Sequence, residues 1–157
     1  MRIAVSDLAY FAGVFDSDGS FSVHKRQRKM RKSAHDYRVV LQLTWKDMPQ
    51  TRMVMTVMKD LYGGSLCVVN NKGFPSKSTF IKWGLYSKQA IPFLHGILPY
   101  LKVKREQAEL CYQFAMTVWK GGPRPTEREW KRREQIYRQV RAINAQGKGG
   151  RRVMIRQ

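Results

Sequence analysis

Residues 8–23 read LAYFAGVFDSDGSFSV. Leu8, Phe11, Ala12 and Phe15 fall at i, i+3, i+4 and i+7, the spacing of one apolar stripe on a helix. Ser6-Asp7 ahead of them can cap that helix and place an acid at its positive end. Asp16-Ser17-Asp18-Gly19 should end it. From Ser20 the period drops to two. Phe21 and Val23 alternate with Ser22 and His24, the pattern of a half-buried strand. A helix thus runs straight into a strand, with two acids at the joint.

The strand continues into a basic run, in which six of the nine residues from His24 to Lys32 are Lys or Arg. After a polar turn near Ser33 to Asp36, Val39, Leu41 and Leu43 alternate with Arg38, Val40, Gln42 and Thr44. This predicts a long hairpin with one apolar face and one polar, basic face. Asp47 and Pro49 begin a second helix, whose expected stripe is Met53, Val54, Val57, Met58 and Leu61, closed by Gly63-Gly64. A second hairpin follows, Leu66 to Asn70 and Thr79 to Tyr86, around Asn71-Lys72-Gly73. Ser87 can cap a third helix carrying Ile91, Leu94, Ile97 and Leu98, which Pro99 should end. Ala108, Cys111, Ala115 and Val118 mark a fourth helix. Thr126 and Glu129 match a capping box for a fifth, with Trp130, Tyr137 and Val140 turned inward and Gly147 ending it.

The fold class expected is α+β, an αββαββα order with a four-stranded antiparallel, saddle-shaped sheet and additional C-terminal helices. The core is expected over residues 1–119 and a linker (KGGPRP) over 120–125. The C-terminal helix, 126–146, should pack on the core, and 147–157 form a basic, mobile tail.

The 157 residues carry 30 Lys+Arg against 11 Asp+Glu, a formal charge of +19. Such a domain repels itself unless an anion balances it, and nucleic acid is the expected partner. No apolar run reaches the length of a membrane span, and MRIAVSDLAYFAG does not read as a signal peptide, so no membrane partner and an intracellular location are expected. Cys67 and Cys111 lie far apart, and His24, His35 and His95 lack ligand spacing, which argues against zinc and a disulfide framework.

Asp16 and Asp18 stand out in so basic a chain, because an idle carboxylate beside a polyanion weakens binding. Two readings are open. Asp-Ser-Asp-Gly is a natural helix stop and turn. It is also a hard-cation site, since Mg²⁺ binds through one or two carboxylates plus substrate phosphate. Ala9, Ala12 and Gly13 form a row of small residues. They suit either packing on the sheet or close approach of the same helix from a second copy, which would bring two Asp18 side chains together across a twofold axis.

Phe11 to Gly19, FAGVFDSDG, resembles the motif of the LAGLIDADG homing endonucleases, with Ala, Gly, both Asp and the last Gly kept and Ser17 replacing the second Ala. The surrounding element order, Gly63-Gly64 and the stretch LPYLKVKREQA extend the resemblance over about residues 5–118. The end of the last helix, RAINAQGKG, also resembles family C-termini. One motif copy implies the class that acts as a homodimer, with the motif helices as interface: Ala9, Ala12 and Gly13, with Asp16 at the base and structural at the helix end. The resemblance further implies that Asp18 binds metal and that Ser17 offers a backbone carbonyl. Mg²⁺ is the expected cofactor, with Mn²⁺ as a substitute. Lys104 matches a basic residue that supports the cleavage site. Where the family often has a polar residue at the end of strand two, this chain has Trp45 or Lys46, depending on a gap. Arg52 is the candidate for a basic residue early in helix two.

The implied activity is metal-dependent, site-specific double-strand cleavage of DNA at a long pseudo-palindromic site, in the setting of intron homing. Two alternatives share the fold, a non-catalytic DNA-binding regulator and an RNA maturase. Strands rise ~3.3 Å per residue, close to the spacing of base pairs, so the polar sheet face suits major-groove reading. Alternation nominates Ser22, His24, Arg26 and Arg28 on strand one and Arg38, Gln42 and Thr44 on strand two. Strand three offers Cys67 and Val69, and strand four Lys82.

Overall fold

The structure, a computed structural model, describes residues 3–27, 35–70, 79–119 and 125–146. In chain order the elements are α1 (Val5–Ser17), β1 (Ser20–Gln27), β2 (His35–Lys46), α2 (Pro49–Tyr62), β3 (Ser65–Asn70), β4 (Thr79–Tyr86), α3 (Ala90–Ile97), α4 (Arg105–Trp119) and α5 (Glu127–Gln146). Short 3₁₀ turns, Ser87–Gln89 and Leu98–Tyr100, flank α3. The four strands form one antiparallel sheet in the order β1-β2-β4-β3. The expected α+β class and sheet are therefore present.

Alternation along each strand sorts its side chains onto two faces. Phe21, Val23, Val39, Leu41, Leu43, Ile81, Trp83 and Leu85 are all buried, on the face the helices cover. α1 inserts Phe15 into that core, where its ring centroid lies 4.9 Å from Phe93, 5.3 Å from Phe21 and 6.2 Å from Trp83. Truncating a buried Phe to Ala in such a cluster costs about 3–5 kcal/mol. This packing fixes where α1 ends relative to the sheet, and so where its acids stand.

α5 braces the first hairpin from the side of the core. Tyr37 packs its ring within 5.7–6.1 Å of Trp130, Tyr137 and Phe114. Glu134 accepts hydrogen bonds from Lys25 Nζ (2.8 Å), from the Tyr37 hydroxyl and from Arg138 Nε (2.9 Å). These donors hold the Glu134 carboxyl down at about 2. β1 is an edge strand, and Asn144 Nδ2 donates to the Phe21 carbonyl at 2.9 Å. The capping box is formed: Glu129 N donates to Thr126 Oγ1 (3.3 Å), and Thr126 N donates to Glu129 Oε2 (2.7 Å).

Several expectations are corrected. α1 starts at Val5 with Ala4 as its cap, because the Ala4 carbonyl already accepts from Asp7 and Leu8 N–H; Ser6 lies inside the helix. On α2 the buried residues are Met55 and Met58, while Met53 (65% exposed) and Val57 (45%) face solvent. The helix carries two apolar stripes, and only one meets the core. Ser87 does not cap α3 but opens the 3₁₀ turn before it, at φ 49°. Asp36 belongs to β2, opposite Arg26, rather than to the turn. On α5 the buried residues are Ile136 and Val140; Trp130 and Tyr137 are half-buried. The rest of the first turn with Arg28, the turn at Asn71-Lys72-Gly73, Lys120 to Arg124, the Val118 side chain, and Gly147 with the tail lie outside the described residues.

Candidate metal centre and nucleic-acid interface

The joint between α1 and β1 is tightly closed. Asp18 N and Gly19 N both donate to the Val14 carbonyl, at 2.9 and 3.3 Å. A Cβ on Gly19 would fall 2.4–2.7 Å from atoms of Phe15, so only glycine lets the chain turn over that ring. Asp16 turns inward: its carboxylate accepts the backbone N–H of Lys102 (2.7 Å) and Lys104 (2.8 Å), just ahead of α4. Burial pushes this carboxyl up, but those N–H groups and the Lys104 charge outweigh it and hold it below the usual range.

Lys104 closes the same joint from outside. Its Nζ donates to the carbonyls of Phe15 (3.1 Å), Ser17 (3.0 Å) and Gly19 (2.7 Å). An ammonium has three N–H groups, so all are engaged, and its charge sits on the negative end of α1. Burial lowers the Lys104 pKa, against the pull of the Asp16 and Asp18 carboxylates.

Asp18, by contrast, is exposed. Its Oδ2 accepts the indole N–H of Trp45 at 2.9 Å, and among the described residues Oδ1 takes no hydrogen bond. Of the two candidates at the end of β2, it is therefore Trp45 that meets Asp18. Trp45 continues the core-face stripe of Leu41 and Leu43 and reaches under the sheet to the end of α1. Lys46 points to the opposite face, across from Phe80. Arg52 is not brought to Asp18: Nε and Nη2 grip the Asp47 carboxylate, each at 2.5 Å.

Among the described residues no group of three His, Cys, Asp or Glu could hold a metal ion. One chain supplies a single open carboxylate, and the Ser17 carbonyl beside it already accepts from Lys104. That donor set fits a hard divalent ion only as half a site, completed by a second carboxylate or by phosphate oxygen.

The small row divides between core and surface. Ala12 is fully buried in the core of its own chain, and Asp16 is engaged within it. Ala9 and Gly13 do lie on the surface, and nothing comes within 4 Å of a Cβ built on Gly13. Val5 (64% exposed) and Tyr10 (51%) extend this open side of α1.

The other face of the sheet holds every nominated groove-reading residue that the structure describes. The registers Ser22↔Val40, His24↔Arg38, Thr44↔Lys82 and Cys67↔Lys82 place them together, with Gln42 opposite Gly84 and Val69 opposite Phe80. Arg38 lies 3.9 Å from the ring centroid of Tyr86, a stacked guanidinium that sequence reasoning did not find. Burial lowers the His24 pKa, as do the charges of Arg26, Arg38 and Lys82. Asn144 and Gln107 were also missed. They line a hollow with Ser20, Ser22, His24 and Lys104, and only the tertiary placement of α4 and α5 reveals it.

Solved structures that resemble this one include homing endonucleases. I-CvuI, in complex with its target in the presence of 2 mM Ca, matches with a TM-score of 0.68 at 19% identity, covering 88% of this chain and 82% of its own. The archaeal intron-encoded homing endonuclease I-Vdi141I, complexed with DNA, matches with 0.66 at 19%, covering 87% and 83%. The LAGLIDADG homing endonuclease I-SmaMI, bound to cleaved DNA, matches with 0.63 at 15%, covering 87% of this chain but 44% of its own. No protein-family model and no curated sequence matches the chain. The fold is thus that of the LAGLIDADG homing endonucleases, in agreement with the motif on α1.

Proposed function

We propose that the chain is a site-specific DNA endonuclease that acts as a homodimer on a long pseudo-palindromic duplex. The observation that carries this reading is the open Asp18 carboxylate at the end of α1, beside a sheet face lined with Arg26, Arg38, Lys82 and Lys46. A mere binder gains nothing from a negative charge there. The exposed Ala9 and Gly13 let a second α1 approach closely, which would pair the two Asp18 side chains. The match to less than half of I-SmaMI fits a unit that is needed twice.

In this reading the sheet face sets register on the duplex, by Arg and Lys to phosphate and by Arg38 and Gln42 to base edges. Asp18 from each copy would hold a divalent metal, Mg²⁺ or Mn²⁺, which would supply charge neutralisation and an acidified water. Lys104 keeps a positive charge at the joint while its N–H groups hold the end of α1 in place. Its part is electrostatic support rather than proton transfer. Lys46 faces the duplex, whereas Arg52 acts through Asp47.

Sites selected from a random DNA library give the substrate. On such a site Asp18→Asn should bind at least as well as the parent in a gel shift with Ca²⁺, because phosphate repulsion falls. Cleavage in Mg²⁺ should drop by several orders of magnitude. Near-parental cutting by this variant would reduce the motif to a helix stop.

A further inference from the structure

We infer that Trp45 is a positioning residue for Asp18, its indole N–H fixing which way the carboxylate presents its free oxygen to a divalent cation. The inference rests on the endonuclease reading above.

An indole N–H is a donor only; it neither ligates a metal nor takes up a proton. Trp45 therefore cannot stand in for an amide or carboxylate that handles water, and its single polar atom is committed to Asp18 Oδ2 at 2.9 Å. The ring itself is held. It is half-buried at the end of β2, paired with Ile81 of β4, and borders a hollow formed by Tyr10, Met48, Thr51 and Val54. A ring fixed in this way cannot follow the carboxylate, so the carboxylate must follow the ring. Asp18 loses its rotation, with one oxygen engaged and one left over.

Closing α1 does not require this bond. Lys104, Asp16 and the Val14 carbonyl already satisfy that end of the helix. Of the other described tryptophans, Trp83 aims its indole N–H at a backbone carbonyl (Gly63, 3.0 Å) inside the fold. Among the described residues, Trp45 is the only tryptophan whose indole N–H is recorded donating to an exposed carboxylate. Donors placed behind a metal-binding carboxylate in this way typically carry about 10–100-fold in metal affinity.

The test follows backbone and indole N–H signals of the full chain by ¹⁵N NMR during a titration with Mn²⁺, whose unpaired electrons broaden nearby signals. In the parent, the Trp45 indole and the Gly19 amide should broaden together, well before the Trp83 indole. In Trp45→Phe, which keeps the ring and removes the N–H, the Mn²⁺ concentration that broadens Gly19 should rise about 10–100-fold. Trp45→His, which restores a ring N–H, should recover part of that loss. An unchanged Gly19 response in a folded Trp45→Phe protein overturns the positioning role and leaves the endonuclease reading standing. Loss of the fold in both variants assigns Trp45 to packing and overturns the role as well. No broadening at Gly19 in the parent, alone or with DNA, removes the metal from Asp18 and takes the broader reading with it.

Discussion

Asp16 and Asp18 are two residues apart and chemically identical, yet their surroundings turn them opposite ways. Asp16 is aimed back into the fold, onto the N–H groups ahead of α4; Asp18 is aimed out, with only Trp45 behind it. A hydrogen bond to a charged group contributes about 1.5–3 kcal/mol. Asp16→Ala leaves the N–H groups of Lys102 and Lys104 without their acceptor. It should therefore lower unfolding stability by about 2–4 kcal/mol, read from the urea midpoint, while DNA affinity measured below the new midpoint stays near the parent's. An Asp16 variant as stable as the parent would mean that water replaces the carboxylate at no cost. The contrast was half legible in the sequence. The spacing announced two acids at a helix end, but which one faces inward depends on where residues 102–104 return to α1.

α5 is held in part by charge, since its Glu134 gathers Lys25, Tyr37 and Arg138. A carboxyl held at about 2, below its ordinary 4.5, contributes stability that is complete above 4.5 and lost as pH falls through 2. Acid titration followed by urea melts should show the parent losing stability across that window, with Glu134→Gln less stable at neutral pH and flatter across the same range. Parallel curves for the two proteins would assign the acid sensitivity elsewhere. Glu134 was out of reach of sequence reasoning because Tyr37 and Lys25 lie 97 and 109 residues away. The strands were legible, since alternation needs only the neighbouring residue. α2 was not legible in this way. Met53, Val54, Val57 and Met58 form a plausible stripe, yet packing chose Met55 and Met58 and left Met53 and Val57 outside. A helix with apolar residues on two sides does not say which side is inside.

Over the whole molecule, the basic sheet face and the open side of α1 together require a second copy in the proposed function. Gly13→Leu adds a branched side chain where nothing lies within 4 Å, so the single chain should fold with unchanged stability. Two such helices can no longer approach backbone to backbone. Light scattering should report monomers, and cleavage should fall with dimerisation. A variant dimer of parental strength would move the interface off α1.

The Lys104 clamp also has a consequence in time. It joins carbonyls of residues 15–19 to a side chain 85–89 positions later. During synthesis α1 emerges first, and chains fold from the N-terminus as they lengthen. Until residue 104 has emerged and the long loop has closed, the end of α1 lacks its clamp and Asp16 lacks both its donors. A partly made chain can already expose basic strands to nucleic acid, but it has no finished joint at which to hold Asp18. In the proposed function, the capacity to cut would arrive after the capacity to cling.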